Sequence, residues 1–91
     1  MDPQNANAFR LRGSIFTLRK KYDLAIDDFN IAIRLEPREA SSFYMRGMTY
    51  LGKGQHDRAI EDFDEASRLN PSNSQYRKSR DLAHDFKRLG R

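Results

Sequence analysis

The side chains able to do chemistry are few. The 91-residue chain has two histidines, His56 and His84, and no cysteine. Neither histidine has a second one at a spacing such as HxxxH, which would set two imidazoles on one helix face around a metal. Acidic residues gather at Asp27/Asp28 and at Glu61/Asp62/Asp64/Glu65. Paired carboxylates can serve acid–base catalysis or hold calcium. No glycine-containing ligand loop surrounds these groups, and they read as solvated outer faces of helices. GKG at 52–54 is too short for a phosphate-cradling loop and lacks the Lys and Ser/Thr that would follow. The sequence predicts no enzyme, no cofactor and no metal site.

A different pattern recurs. Phe9, Arg12, Gly13 and Phe16 reappear as Phe43, Arg46, Gly47 and Tyr50. Both stretches otherwise read as helix, where a glycine costs about 1 kcal/mol relative to alanine. The prolines give the period: Pro3, Pro37 and Pro71 are spaced by 34 residues. Residues 6–39 align on 40–73 without gaps at thirteen identities. The chain divides into a lead (1–5), two repeats (6–39 and 40–73) and a terminal segment (74–91).

Each repeat reads as two helices. The first spans about Ala6–Arg19, and about Ser41–Leu51 in the second copy. Polar turns follow, RKKYD and GKGQHD, in which Gly52 and Gly54 suit a helix end that needs a left-handed residue. Asp23 and Asp57 are the expected N-caps of the next helix. That helix sets Ala25, Ile26, Phe29, Ala32 and Ile33 on one face, and Ala59, Ile60, Phe63 and Ala66 in the second copy. Pro37 and Pro71 end it. The spacing predicts that Gly13 and Gly47 let two helices approach, meeting the regions of Ala25 and Ala59, with aromatic rings on either side.

Composition fits one small soluble domain. Only 37% of residues are hydrophobic and the net charge is +4. The basic excess lies in residues 74–91, which carry six cations and two acids. No apolar run is long enough for a membrane span, and the N-terminus lacks the regions of a signal peptide. A cytoplasmic location and no membrane partner are expected.

This arrangement resembles the tetratricopeptide repeat, a 34-residue helix–turn–helix unit. The signature positions are Phe9, Gly13, Phe16, Ala25, Phe29, Ala32 and Pro37, then Phe43, Gly47, Tyr50, Ala59, Phe63, Ala66 and Pro71. Arg12 and Arg46 stand where leucine is common, and their stems are expected to cover apolar surface with the heads in water. The resemblance implies an all-α solenoid of five helices: two repeats and a C-terminal capping helix with Tyr76, Ser79, Ala83 and Phe86 on its inner side. It also implies a non-catalytic module that binds a protein or peptide on a concave face formed by the first helices. The expected lining is Asn7, Arg10, Ser14 and Thr17, then Ser41, Tyr44, Met48 and Leu51, with Gln75, Lys78, Leu82 and Asp85 from the last helix. Met48 and Leu51 have two readings, as part of a binding strip or packed beneath the terminal helix.

Chaperone-adaptor members of the family hold a peptide C-terminus in a two-carboxylate clamp. Its polar and cationic places hold Arg10, Ser14, Met45, Gln75 and Ser79 here. Only Arg10 keeps the charge, so weak binding of chaperone C-terminal peptides is expected. Two alternatives remain. Phe9, Leu11, Ile15 and Leu18 leave an apolar flank on the first helix that self-association into a homo-oligomer would cover, in a fragment or an engineered repeat. Arg77, Lys78, Arg80, Lys87, Arg88 and Arg91 could meet nucleic acid, but they spread around the helix, and no specific nucleic-acid partner is expected.

Overall fold

In the computed structural model, which describes residues 2–90, the 34-residue period becomes five helices. They are α1 (Ala6–Leu18), α2 (Tyr22–Leu35), α3 (Ala40–Gly52), α4 (His56–Leu69) and α5 (Ser74–Leu89). Met1, in the lead, and Arg91, in the basic set, lie outside the described residues. Each helix packs on the next in sequence, and α1 also touches α3. The result is an all-α stack with α1, α3 and α5 in one row and α2 and α4 in the other, 41 × 29 × 15 Å. No helix among the described residues is long and apolar enough to cross a membrane.

The core follows the apolar periodicity. Ala25, Phe29, Ala32, Ala59, Phe63 and Ala66 are almost wholly buried. Phe9 packs with Ala6 and Ala32. It is therefore inside the first hairpin and not on the open flank, where Leu11, Ile15 and Leu18 do remain exposed.

The glycines admit rings, not alanines. A methyl group added to Gly13 would stand 2.8 Å from the Phe29 ring, and on Gly47 2.7 Å from the Phe63 ring. The expected partners Ala25 and Ala59 lie one turn earlier on the same helices and are not the nearest atoms. Since the two rings are buried on all sides, they cannot retreat cheaply.

The arginines correct a second expectation. Their heads are not simply solvated: Arg12 stays half exposed and Arg46 is more enclosed, and each is held by a carboxylate. Arg12 Nε and Nη2 donate to the two carboxylate oxygens of Asp28, both at 2.8 Å. Arg46 grips Asp62 the same way, at 2.9 and 2.8 Å, and also donates to Asn30 Oδ1 at 2.7 Å. Asp28 and Asp62 are 3% and 5% exposed, so neither belongs to a solvated face. Each guanidinium also lies over two rings: Arg12 over Phe9 and Phe16 at 5.7 and 5.9 Å, Arg46 over Phe43 and Tyr50 at 5.6 and 5.9 Å. Stacking and a planar two-bond fork are what arginine offers and lysine does not. The aromatic–Arg–Gly–aromatic spacing thus builds one device: the rings hold the guanidinium, the guanidinium pins the facing carboxylate, and the glycine seats the facing phenylalanine.

The helix starts differ from expectation in detail. Asn5 and Asn73 cap α1 and α5 with side-chain bonds to the N–H groups of Ala8 and Gln75. Lys21 and Gln55 occupy the N-cap positions of α2 and α4 without such a bond. Asp23 and Asp57 fall in the first turn instead, where a carboxylate still suits the positive end of the helix dipole. They pair with Lys53 and Lys87, each at 2.6 Å. Tyr22 and His56, assigned to turns by sequence, open α2 and α4.

Two outcomes follow for stability. Gly47→Ala should lose about 1–3 kcal/mol in guanidinium denaturation, although alanine is the better helix former, because the overpacking at Phe63 outweighs the propensity gain. Arg46→Leu should lose about 2–4 kcal/mol near neutral pH by leaving the Asp62 carboxylate buried and unpaired. Burial already pushes the Asp62 carboxyl up, and the Arg46 hydrogen bonds pull it part of the way back. Without Arg46 it rises further. A folded-state pKa above the unfolded one costs stability as pH climbs and costs none once both states are protonated. Denaturant midpoints of wild type and Arg46→Leu should therefore converge as pH falls from neutral toward the unfolded carboxylate range.

Candidate functional site

The face formed by α1 and α3 is held by a ladder of contacts. Arg10 donates to Glu36 at 3.0 Å and to Ser42 Oγ at 3.2 Å, and also to Asn7 Oδ1. One turn on, Ser14 Oγ donates to Met45 Sδ at 3.6 Å. At the next turn the hydroxyls of Thr17 and Thr49 meet at 2.8 Å. Partners advance together along both helices, so α1 and α3 run parallel. Ser42 and Thr49 are fully buried in this interface.

Above the ladder the surface opens into a groove of about 250 Å³, with Ser14, Thr17 and Leu18 on one wall, Tyr44, Met45 and Met48 on the other, and Phe29 below. Apolar groups dominate it. Met48 is 40% exposed and Leu18 84% exposed, so its mouth presents apolar surface to water.

The residues expected on the concave face divide. Ser14, Thr17, Tyr44 and Met48 line the groove. Arg10 does not: its guanidinium is engaged with Glu36, Ser42 and Asn7, and the residue is only 8% exposed. Asn7 lies beside it. Leu51 is partly buried and packs against the cluster of Tyr50, Ala59, Phe63 and Ala83, and it does not line the groove. Met48 goes the other way and stays at the groove. Lys78 is exposed on α5 and lines no part of the groove, nor do Ser41, Gln75, Leu82 and Asp85. Sequence reasoning named Met45 only as a clamp position and did not place Leu18 or Phe29 at the groove. The signal for Leu18 was present: a large apolar residue stands where the second repeat has Gly52.

The basic surplus of α5 is mostly paired. Arg80 meets Asp64 at 3.3 Å, Lys87 meets Asp57 at 2.6 Å and Arg88 meets Asp85 at 3.4 Å. The Lys87 bond holds the Asp57 carboxyl below its ordinary value. Asp28 and Asp62, through the same forks, raise the hold of Arg12 and Arg46 on their protons. Among the described residues, no three His, Cys, Asp or Glu side chains come together as metal ligands.

The rim of the groove ends in a strained turn. Lys20 has φ 59°, the left-handed region, at the place where the second repeat has Gly54 with φ 83°. Both turns close with the same pair of bonds. Lys20 and Lys21 N–H donate to Thr17 and Phe16 carbonyls at 3.0 and 2.8 Å, and Gly54 and Gln55 to Leu51 and Tyr50 at 3.0 and 2.9 Å. A side chain in that region costs energy that glycine avoids. Lys20→Gly should accordingly raise stability by about 0.5–1 kcal/mol, net of glycine's freer unfolded chain, read as a higher thermal midpoint.

Comparisons with known proteins agree on one family. Residues 40–73 match the family described as tetratricopeptide repeat. No curated protein sequence matches the chain. Among solved structures, a crystal structure of MamA superposes with a TM-score of 0.91 at 31% identity, covering 97% of this chain and 52% of that one. The chain thus spans about half the length of the MamA chain. The second TPR of Spaghetti (RPAP3), bound to the HSP90 peptide SRMEEVD, gives a TM-score of 0.87 at 29% identity, with coverages of 98% and 81%. The second TPR domain of human RPAP3, in complex with the HSP70 peptide SGPTIEEVD, gives 0.86 at 26%, with coverages of 91% and 69%.

Proposed function

The chain is a tetratricopeptide-repeat protein, by sequence over residues 40–73 and by fold over its described length, and from that premise we propose that it is a non-catalytic protein-interaction module. Its partner is a peptide or helix that lays an apolar side chain into the groove between α1 and α3. The observation that carries this reading is the groove itself, about 250 Å³ and open to solvent through Met48 and Leu18. Buried apolar surface would supply affinity, and methionine adapts its shape to different guests. An amphipathic helix laid into such a groove is a common mode of recognition.

Two solved relatives are bound to peptides ending in EEVD, which supports a peptide partner here. The guest differs in its anchor. Arg10, the one cation at a clamp position, is engaged by Glu36 and Ser42, and Ser14 and Met45 beside it face an apolar space. A terminal carboxylate would find few free donors.

Fluorescence anisotropy tests this with two labelled probes: an amphipathic helical peptide with leucines on one face and glutamines on the other, and SRMEEVD. The leucine peptide should bind more tightly than SRMEEVD. Met48→Lys should weaken it by about tenfold or more, with an unchanged thermal midpoint because Met48 is outside the core. Equal binding by the variant, or a preference for SRMEEVD that Arg10→Ala abolishes, would overturn the reading.

A further inference from the structure

We propose that the segment the groove accepts is acidic on one flank, with carboxylates that meet Arg19, Lys20 and Lys21. This rests on the groove reading above and adds the chemistry of the partner.

Parallel first helices put like ends together. The ladder from Arg10–Ser42 to Thr17–Thr49 carries α1 alongside α3. Tyr44–Tyr76 stacking and the Leu51–Ala83 cluster carry α3 alongside α5 in the same sense. The C-terminal ends of α1, α3 and α5 therefore form one edge of the molecule. That edge holds Arg19, Lys20, Lys21, Lys53, Arg58, Lys87 and Arg88 as cations. Of its acids, Asp23, Asp57 and Asp85 are matched to Lys53, Lys87 and Arg88. Asp27 and Arg58 line one cavity with Asp23 and Lys53, and Arg58 lies over the Tyr50 ring. The cations next to the groove are Arg19, Lys20 and Lys21. All three are exposed, and none forms an ion pair among the described residues. They follow Leu18, the last groove residue of α1, directly in the chain.

Lys20 adds an independent sign. It keeps a long cationic side chain on a left-handed backbone where the second repeat uses glycine. Strain of this kind persists only where the surrounding structure enforces it, and it concentrates at functional sites. A cation placed beside an apolar groove selects a guest with an apolar anchor and a neighbouring negative charge, and rejects one with a positive flank. Three cations at one end of an apolar wall fit a short peptide better than a nucleic-acid strand, which needs a longer cationic track along its backbone.

The experiment uses three labelled peptides with one leucine face and different flanks: glutamate, glutamine or lysine. At low salt the glutamate-flanked peptide should bind about tenfold tighter than the glutamine one, and the lysine-flanked one weaker than both. The advantage should shrink at high salt. It should vanish in Arg19→Ser/Lys20→Gly/Lys21→Ser, whose thermal midpoint should not fall. Equal affinity of the glutamate and glutamine peptides for the wild type would overturn this inference and leave the groove reading standing. Binding by none of the three would overturn both. Tight binding of a single-stranded oligothymidylate, matching the glutamate peptide, would also overturn it, since the cluster would then read charge alone.

Discussion

One clamp organises each hairpin. A guanidinium lies over two rings of its own helix and holds both oxygens of a buried carboxylate on the next. The second copy shows the logic most fully, because Arg46 is the more enclosed of the two arginines and adds a bond to Asn30 of the preceding repeat. A fork of this type fixes distance and rotation together, which a patch of leucines would not. The residue after it must be glycine, because a phenylalanine from the facing helix enters there. Clamp and seat are adjacent in sequence at Arg12–Gly13 and Arg46–Gly47, and so are their partners, Asp28–Phe29 and Asp62–Phe63. One dipeptide facing another determines how each hairpin closes.

Residues in these devices are identical in both copies: Arg12/Arg46, Gly13/Gly47, Asp28/Asp62 and Phe29/Phe63. The residues that face the neighbouring first helix are not. Arg10, Ser14 and Thr17 become Tyr44, Met48 and Leu51. Closure of the hairpin is a local problem with one solution used twice. What lies between one hairpin and its neighbour is solved differently at each junction.

That division explains what could be read without coordinates. The period, the helix count and the buried apolar faces depend on contacts of short sequence range, and spacing reports them directly. The clamp was hidden because arginine and aspartate look like surface residues one at a time. Asp28 in particular reads as half of a solvated pair with Asp27, and only its recurrence as Asp62, sixteen residues after the matching arginine, ties it to Arg12. The groove was legible in part, since Ser14, Thr17, Tyr44 and Met48 follow from the period. Arg10 was misjudged because its partners lie outside its own helix, Glu36 at the end of α2 and Ser42 across the repeat boundary, where periodicity within one helix does not see them. Leu18 was missed because it departs from the pattern, and patterns are poor at reporting departures.

The groove itself is a consequence of side-chain size at equivalent positions. Between α3 and α5 the packing is filled by rings and leucine: Tyr44 stacks on Tyr76 at 5.0 Å, and Leu51 packs toward Ala83. Between α1 and α3 the equivalents of Met48 and Leu51 are Ser14 and Thr17, whose hydroxyls satisfy Met45 and Thr49 but whose volume cannot fill the space above them. Polar bonds close the bottom of this junction and leave its top open. The opening then exposes Met48, which has no larger neighbour to cover it. Replacing Ser14 and Thr17 by the residues of the second copy, methionine and leucine, would fill the groove from within. The first junction is thus the less completely packed of the two, and that incompleteness is what opens the groove.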